Sequence, residues 1–269
     1  MLINFDTPGA AACTVPKIVM DGGEIIAARG MLTHEILNAH LVITQPWQIP
    51  FSIPGRGLNH DISRLEIVSL CGQHPVDSAQ RSLVKSLAGF QDENVQWGNY
   101  GARIRGNLRP VLDKLSERGS RQAVLTIFDA NRDLQAVTID RPCTLSIQFF
   151  IRAGRLTTTV HMRSNDVYLG LPYDLHQFCV LHCLVAQLMD VEPGGYHHFV
   201  GSLHAYERDE NKINRLGLIY ETLDDNIWKF DADNLEDITK FLQDAVDERH
   251  MLDARGETQF ERWLAAWGS

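Results

Sequence analysis

The spacing of apolar residues along the chain changes between two periods, and each period predicts one kind of element. A period of 3.6 residues predicts amphipathic helices over 61–70 and 106–118, with Gly119 ending the second. The apolar face of that second helix is formed by Leu108, Val111, Leu112 and Leu115. The segment 175–189 is apolar on nearly every side, which predicts a buried helix.

Runs of alternating and β-branched residues predict strands. The predicted strands are a strand pair or strand and turn over 17–26, then 123–128, 136–139, 145–151, 156–162, 197–203 and 216–220. We expect Pro193-Gly194-Gly195 to end the buried helix, Gly55-Arg56-Gly57 to form a loop and 235–246 to form a late helix. Because helices do not alternate strictly with strands, the pattern favours a single α+β domain over residues 1–269 rather than a doubly wound α/β fold.

Composition and charge narrow the classes of protein only mildly. The 269 residues are 44% hydrophobic, which is ordinary for a globular core. A net charge of −9 argues against a general nucleic-acid-binding surface but leaves room for a basic pocket that holds one phosphate. The five cysteines lack the spacing of a disulfide-rich domain, and neither a signal peptide nor a membrane-length apolar run is apparent. We therefore expect a cytoplasmic protein.

One cysteine stands in a setting that suggests covalent chemistry. Cys143 follows Pro142 just before the predicted strand 145–151, and Arg163 and Ser164 follow twenty residues later. A cysteine becomes a strong nucleophile when neighbouring cations lower its pKa, and the arginine fork suits phosphate oxygens. The pattern indicates a thiol nucleophile that acts on a phosphorylated small molecule. The alternative is a small buried cysteine with a structural role only.

These residues belong to longer motifs that resemble the thymidylate synthase superfamily. The central matches are Pro142-Cys143, Arg163-Ser164-x-Asp166-Val167-x-Leu169-Gly170-Leu171-Pro172-Tyr173 and His204-x-Tyr206. Weaker upstream matches are Tyr100-Gly101, Ser120-Arg121, Glu66 and Arg29-Gly30, so that the resemblance covers roughly residues 20–220. It implies a thymidylate synthase-like α+β fold, in which helices flank a mixed β-sheet and one sheet face forms a homodimer interface. Residues 1–16 have no clear counterpart, and 221–269 diverge.

The resemblance implies a role for each matched residue in binding a pyrimidine nucleoside monophosphate. Cys143 would attack C6 of the pyrimidine, and Glu66 would organise waters and move protons. The phosphate would be bound by Arg29, Arg163 and Ser164, and by Arg121 reaching across a two-fold interface into the neighbouring site. Tyr100 would contact the nucleotide, and His204 and Tyr206 would bind the 3′-hydroxyl of the sugar. Two residues apart on a strand, His204 and Tyr206 should face the same side.

The same resemblance implies that 5,10-methylenetetrahydrofolate is the co-substrate. Asp166 would hydrogen-bond the pterin, and Leu169, Gly170 and Tyr173 would line the folate site. Trp97 is a candidate folate neighbour because it lies just before Tyr100. Trp263 and Trp267 stand where the family has a short aliphatic tail, and either cover the pterin or pack against the protein body.

Three positions depart from the family pattern. Gln122 replaces a second arginine, which puts one phosphate contact across the interface in doubt, and Thr144 replaces the histidine that often follows the nucleophile. Thymidylate synthases have asparagine where this chain has Asp174. A carboxyl group suits the cytosine edge, whose N4 amino group donates and whose N3 must gain a proton, and it would repel O4 of uracil. In this respect the chain is similar to the deoxycytidylate hydroxymethylases, although Asp174 could instead cap the following helix.

The expected activity is folate-dependent transfer of a one-carbon unit to C5 of dCMP, followed by water addition to give 5-hydroxymethyl-dCMP. The alternatives are CMP as the substrate, hydride transfer that gives a methyl group on dCMP or dUMP, and a non-catalytic relative that binds nucleotides or RNA.

No metal is expected, because the possible ligands on the buried helix have no second ligand pair nearby; they are His176, Cys179, His182 and Cys183. The basic cluster of Arg103, Arg105 and Arg109 is expected to form a solvated face.

Overall fold

A computed structural model describes residues 1–28, 30–72, 99–135 and 141–222. The predictions for Arg29, Trp97, 136–139, 235–246 and the two C-terminal tryptophans fall outside these ranges. In the described ranges, no helix combines the length and the apolar character that crossing a membrane requires.

A seven-stranded mixed sheet is the centre of the fold. Its strands are β1 (Leu2–Phe5), β2 (Glu24–Ala28), β3 (Met31–Ile43), β5 (Val124–Thr126), β6 (Thr144–Arg152), β7 (Arg155–Asp166) and β8 (Glu192–Tyr206); a separate pair is formed by β4 (Phe51–Ser52) and β9 (Glu221–Thr222). The order is β1-β3-β8-β7-β6-β5, with β2 paired to β3. Strands β7 and β8 run parallel, whereas β3 is antiparallel to β8 and β6 to β7. The mixed sheet confirms the predicted α+β class.

Seven α-helices are described. They are α1 (Pro8–Gly22), α2 (His60–Gly72), α3 (Tyr100–Ile104), α4 (Leu108–Ser116), α5 (Ala130–Asp133), α6 (Leu171–Leu188) and α7 (Glu210–Asn214). The prediction for α4 is confirmed, since its four apolar residues are buried and Gly119 follows with a positive φ of 74°. Residues 55–57 form the predicted loop.

The buried helix α6 packs against the sheet and two other helices. It contacts β7 and β8 of the sheet, α1, which also packs on the sheet, and α2. Such a position requires apolar side chains all round, which is the pattern that predicted it. Its few polar residues are paired inside the protein; His182 Nδ1, for example, lies 2.7 Å from the hydroxyl of Thr158.

The first predicted strand pair, over 17–26, is wrong in its first half. Residues 8–22 form α1, which begins after the N-cap Thr7, whose side chain accepts a hydrogen bond from the Ala10 amide at 3.1 Å. The fully buried Ala11, Val15 and Val19 recur every four residues, so the helical period prevails over the β-branched content of this segment.

Two further predictions at the end of the sheet are also wrong. Pro193-Gly194-Gly195 lies within β8, because Gly194 has no side chain and lets the carbonyl of Leu156 on β7 approach. Residues 216–220 are not a strand; the short strand β9 begins only at Glu221 and pairs with Ser52.

Candidate active site

Cys143 immediately precedes β6 and is the accessible cysteine of the chain. The other four cysteines are buried, whereas Cys143 is half-buried. Burial raises the pKa of the Cys13 thiol to about 11, which makes a buried cysteine of this kind unreactive at neutral pH. The exposure of Cys143 favours it as the nucleophile that the sequence predicts.

The Arg163 side chain holds the backbone that leads into Cys143. Its Nε donates to the carbonyl of Pro142 at 2.9 Å, and its Nη2 donates to the carbonyl of Arg141 at 3.1 Å. The amide of Arg163 also donates to the carbonyl of Cys143 at 2.8 Å. These bonds bring a guanidinium close to the nucleophile's backbone. Its contact with a phosphate remains a prediction.

Arg103, predicted on a solvated basic face, is instead buried in an ion pair. Its Nη1 and Nη2 donate to the two carboxylate oxygens of Asp133 at 2.8 and 2.6 Å, and its side chain is only 5% exposed. Burial opposes the charged form of Asp133, but hydrogen bonds from Arg103 and the Asp129 amide outweigh it and lower the pKa. The carbonyl of Asp133 also accepts a bond from Arg141 Nε at 2.9 Å. The pair therefore anchors the segment ahead of Cys143.

Asp174 is a buried carboxyl group in the first turn of α6. Helix α6 begins at Leu171 with Gly170 as its N-cap, so the alternative that Asp174 caps the helix is wrong. Its Oδ2 accepts a hydrogen bond from Asn165 Nδ2 at 2.8 Å, and its Oδ1 accepts one from Gln177 Nε2 at 3.1 Å. Burial raises the pKa of Asp174 to about 7, although both hydrogen bonds lower it. At neutral pH this group can therefore hold or release a proton.

Tyr100 lies near both the nucleophile and Asp174. It lies at the start of α3, and its hydroxyl accepts a hydrogen bond from the amide of Thr144, next to Cys143, at 3.3 Å. Burial raises the pKa of Tyr100, and negative charge on Asp174 and Cys143 raises it further. Tyr100 is therefore a neutral hydroxyl whose pKa responds to charge on both groups that the sequence assigns to chemistry.

Ser164, His204 and Tyr206 come together on the parallel strands β7 and β8. The hydroxyl of Ser164 lies 3.4 Å from His204 Nδ1. The ring of His204 meets that of Tyr206 edge-on at 5.3 Å, as expected for residues that face the same side of one strand. Their polar groups thus lie near the end of β7 that carries Arg163.

Asp166 shapes the turn between β7 and α6. Its Oδ1 accepts hydrogen bonds from the amides of Tyr168 and Leu169 at 2.8 and 2.9 Å, and burial raises its pKa. Leu169 is 43% exposed beside it. Gly170 ends the turn, and the Tyr173 hydroxyl accepts a bond from the Asn59 amide at 3.0 Å.

Arg56 packs on this turn and was not singled out from the sequence. Its guanidinium lies 4.1 Å from the ring centroid of Tyr168 and donates to the Tyr168 carbonyl at 2.6 Å. A charged residue between two glycines was the available signal. Such a pattern fits many solvated loops equally well.

Helix α2 carries Glu66 against the two helices that bear Tyr100 and Asp174. It contacts both α3 and α6, and Glu66 is half-buried with its Oε2 shielded from solvent. On the same helix, Ser63 Oγ lies 3.0 Å from His176 Nδ1, so His176 joins α2 to α6. Over the described ranges, no group of three or more His, Cys, Asp or Glu side chains is arranged to hold a metal ion.

Arg121 lies apart from this cluster. It is exposed before the edge strand β5, and its carbonyl accepts a bond from Gln148 Nε2 at 3.0 Å. Within a single chain, the structure therefore brings Cys143, Arg163, Tyr100 and Asp174 together, with Ser164 and His204 on the adjoining strands, and leaves Arg121 outside.

Comparison with known proteins adds independent support to this geometry. The sequence profile described as thymidylate synthase matches residues 86–246, which is more than half of the chain. A deoxyuridylate hydroxymethyltransferase of Bacillus phage SP01 is 28% identical over 210 residues, covering 71% of this chain and 55% of that protein. A thymidylate synthase of equine herpesvirus 2 is 32% identical over 123 residues, covering 41% of this chain and 42% of that protein.

A putative bifunctional dihydrofolate reductase-thymidylate synthase of Oryza sativa is 28% identical over 123 residues, covering 41% of this chain and 24% of the plant protein. The chain thus spans about half or less of the length of these relatives. The profile match, the mixed sheet and the grouping around Cys143 agree. The chain belongs to the thymidylate synthase family, whose members use methylenetetrahydrofolate to transfer a one-carbon unit to a nucleotide.

Proposed function

We propose that this protein transfers a one-carbon unit from methylenetetrahydrofolate to C5 of dCMP and releases 5-hydroxymethyl-dCMP. The observation that carries the choice of base is the buried Asp174 carboxyl group. It lies in the first turn of α6 between two side-chain donors and close to Tyr100, which in turn contacts the backbone beside Cys143.

Cys143 is the proposed nucleophile. Its thiolate adds to C6 of the pyrimidine, and the ring electrons then move toward C5 and the N3–C4 edge. The half-buried position leaves the sulfur reachable, and the guanidinium of Arg163 on the neighbouring strand is bonded to the backbone just before it. Arg163, Ser164, Arg29 and the partner's Arg121 would bind the phosphate, with His204 and Tyr206 at the sugar.

Asp174 is the proposed partner of the cytosine edge. Addition at C6 makes N3 basic, and the acid form of Asp174 supplies the proton that N3 then takes. The resulting carboxylate accepts hydrogen bonds from both N3–H and the N4 amino group. A pKa of about 7 means that the acid form is available at and below neutral pH. Asn165 and Gln177 stabilise the carboxylate that remains.

Uracil fits this arrangement less well. Where cytosine has the N4 amino donor, uracil has the acceptor O4, so the carboxylate form of Asp174 is repelled there and only its acid form can pair with uracil. A buried polar group left without a partner costs about 1–3 kcal/mol, and more when it is charged. That cost corresponds to roughly tenfold to more than hundredfold discrimination in favour of dCMP. The phage relative is named for deoxyuridylate, whereas we propose deoxycytidylate for this chain, and that choice rests on Asp174.

The turn between β7 and α6 is the proposed folate site. Asp166 offers a carboxyl group, and the exposed Leu169 beside it offers apolar surface, a combination that fits a pterin ring with N–H donors. Gly170, Tyr173 and Trp97 would complete the site. Methylenetetrahydrofolate supplies the electrophilic methylene that C5 attacks. C5 then loses its proton and tetrahydrofolate leaves, water adds to the exocyclic methylene, and expulsion of Cys143 from C6 releases the product. Glu66, half-buried on α2, would move the protons and orient the water that completes the hydroxymethyl group.

A two-fold homodimer is part of the proposal. The sheet face opposite α6 carries half-buried aromatic and histidine rings, with His40 and His161 stacked on Phe199 at 3.8 and 5.2 Å. A second copy packed there would cover this face. The exposed Arg121 would then be free to reach a phosphate in the other subunit.

One assay tests the proposed reaction. The protein is incubated with dCMP, CMP or dUMP together with methylenetetrahydrofolate, and the product mass and the oxidation state of the folate are measured. We expect a hydroxymethyl product from dCMP together with tetrahydrofolate. A methyl product with dihydrofolate would instead indicate hydride transfer, and turnover of CMP alone would indicate a ribonucleotide substrate. A protein that turns over none of the three, although it binds them, would be a non-catalytic relative.

A further inference from the structure

A line of three buried polar side chains runs behind Asp174. The hydroxyl of Tyr196 lies 2.9 Å from His198 Nδ1, His198 Nε2 lies 3.0 Å from Asn165 Oδ1, and Asn165 Nδ2 lies 2.8 Å from Asp174 Oδ2. Tyr196 and His198 are fully buried, and Asn165 is 3% exposed. Burying a polar group costs free energy unless the group has a hydrogen-bond partner, so three linked polar side chains in the core call for an explanation.

The direction of every hydrogen bond in this line follows from its last member. The ionised carboxylate only accepts, so while Asp174 is ionised the NH₂ group of Asn165 faces Asp174 and its carbonyl oxygen faces His198. His198 therefore carries its proton on Nε2. Burial lowers the pKa of His198 to about 3, so the ring is neutral and its Nδ1 accepts from the hydroxyl of Tyr196.

The arrangement controls where the proton of Asp174 can go. Gln177 donates to Oδ1 and Asn165 donates to Oδ2, so the acid proton of Asp174 finds no acceptor between them. The acid proton of Asp174 is therefore available to a bound ligand. If the Asn165 amide turned over, its oxygen would face Asp174 and capture that proton.

We propose that Asn165, His198 and Tyr196 form a relay of positioning residues that keeps a donor facing Asp174, stabilises its carboxylate and so directs its proton to the pyrimidine. The relay rests on the proposed function only in naming the pyrimidine as the receiver of the proton. Its action on Asp174 itself can be measured without any nucleotide.

Other titratable groups around Asp174 do not supply this control. Those on the elements that surround it are Tyr100 of α3, Tyr196 and His198 of β8, Glu66 of α2 and Cys143 before β6. Burial raises the pKa of both tyrosines and lowers that of His198, so all three are neutral at pH 7. The causes that shift the pKa of Asp174 are burial first, then the bonds from Asn165 and Gln177.

The test is a ¹³C NMR titration of the Asp174 carboxyl in the ligand-free protein, with the signal assigned by its loss in Asp174→Asn. Asn165→Leu removes the donor, and His198→Phe removes the group that orients it. We expect each variant to weaken the acidity of Asp174 by about tenfold. In His198→Gln, which keeps an N–H near the position of Nε2, the pKa of Asp174 should stay close to its value in the original protein.

A double-variant comparison separates a relay from general damage to the core. In the Asn165→Leu background, His198→Phe should have no further effect, because the residue that transmits it is gone. Gln177→Leu is the matched control, since it removes an independent bond and its effect should add to that of Asn165→Leu. The relay is wrong if His198→Phe leaves the pKa of Asp174 unchanged, or if it changes that pKa equally with and without Asn165.

Two further measurements keep the result interpretable. If His198→Phe does not fold, Tyr196→Phe is measured instead, because it removes one hydroxyl and frees the His198 tautomer. It should raise the pKa of Asp174, though by less than His198→Phe would. An unchanged pKa of Asp174 in Tyr196→Phe would overturn the relay. With dCMP, His198→Phe should lower kcat by about tenfold and change KM less. Should the titrations behave as expected while the enzyme prefers dUMP, the relay stands and the proposed substrate falls.

Discussion

Arg163 Nε donates to the carbonyl of Pro142 at 2.9 Å, and this bond fixes the backbone immediately before Cys143. A second bond from the same guanidinium reaches the carbonyl of Arg141 at 3.1 Å. One side chain on β7 thus joins the segment that carries the nucleophile to the strand that continues into Ser164 and Asp166. The fork geometry of arginine makes both bonds possible at once.

Replacing Arg163 with lysine should therefore impair catalysis more than it impairs folding. Lysine is a point charge that cannot reproduce the fork, so we expect kcat/KM for dCMP to fall about tenfold or more. Arg155→Lys is the matched control, because Arg155 starts the same strand and donates to the carbonyl of Pro193 at 2.7 Å. Equal activity of the Arg163 and Arg155 variants would contradict the positioning role.

Cys143→Ser should abolish turnover while leaving nucleotide binding largely intact. A serine hydroxyl is a far weaker nucleophile than a thiolate and cannot form the adduct at C6. The measurement is mass spectrometry after incubation with 5-fluoro-dCMP and methylenetetrahydrofolate, which should trap a covalent complex with the original protein only. Turnover in the variant at the original rate would remove Cys143 from the mechanism.

Mixing two inactive variants tests the shared site. Cys143→Ser and Arg121→Ala should each be nearly inactive alone, whereas a hybrid dimer contains one site with both residues intact. We expect part of the activity to return after the subunits are mixed and exchanged. A monomer that is fully active at nanomolar concentration would exclude the arrangement.

The buried pair of Arg103 and Asp133 should be important for stability. Asp133→Asn leaves a buried guanidinium uncompensated, which typically costs about 3–5 kcal/mol. Urea unfolding at pH 7 measures the loss. Asp113→Asn is the control, since the Arg109–Asp113 pair is 3.9 Å long, highly exposed and expected to contribute little.

The pair also predicts how stability depends on pH. Because the pKa of Asp133 is lowered on folding, its contribution is complete above the pKa of the unfolded chain and is lost as the pH falls through the folded value. The Asp133→Asn protein should therefore lose less stability on acidification than the original protein. The same loss in both would show that Asp133 is not responsible.

The sequence predicted best where one local pattern determines the outcome. The all-round apolar pattern predicted α6, and the one-sided apolar pattern predicted α4. The motif from Arg163 to Tyr173 falls on a continuous strand, turn and helix. The motif also pointed to Asp174, although it could not tell a helix cap from a buried carboxyl. That distinction depends on where the helix begins.

The failures involve partners that are distant in sequence. Arg103 is buried because it meets Asp133, thirty residues away, and nothing near Arg103 indicates this. Asn165 meets His198 only because β7 and β8 are parallel neighbours. Asn165 stands between Ser164 and Asp166, two residues that the motif singled out, yet its own contribution depends on strand pairing.

The choice of base is the central claim, and the ratio of kcat/KM for dCMP to that for dUMP tests it most directly. The ratio is measured for the original protein and for Asp174→Asn, whose amide can pair with both N3–H and O4 of uracil. We predict a ratio of about ten or more in the original protein and a clearly lower ratio in the variant, because the variant should use dUMP better. An original protein that prefers dUMP, or a ratio that does not change in Asp174→Asn, would contradict the account.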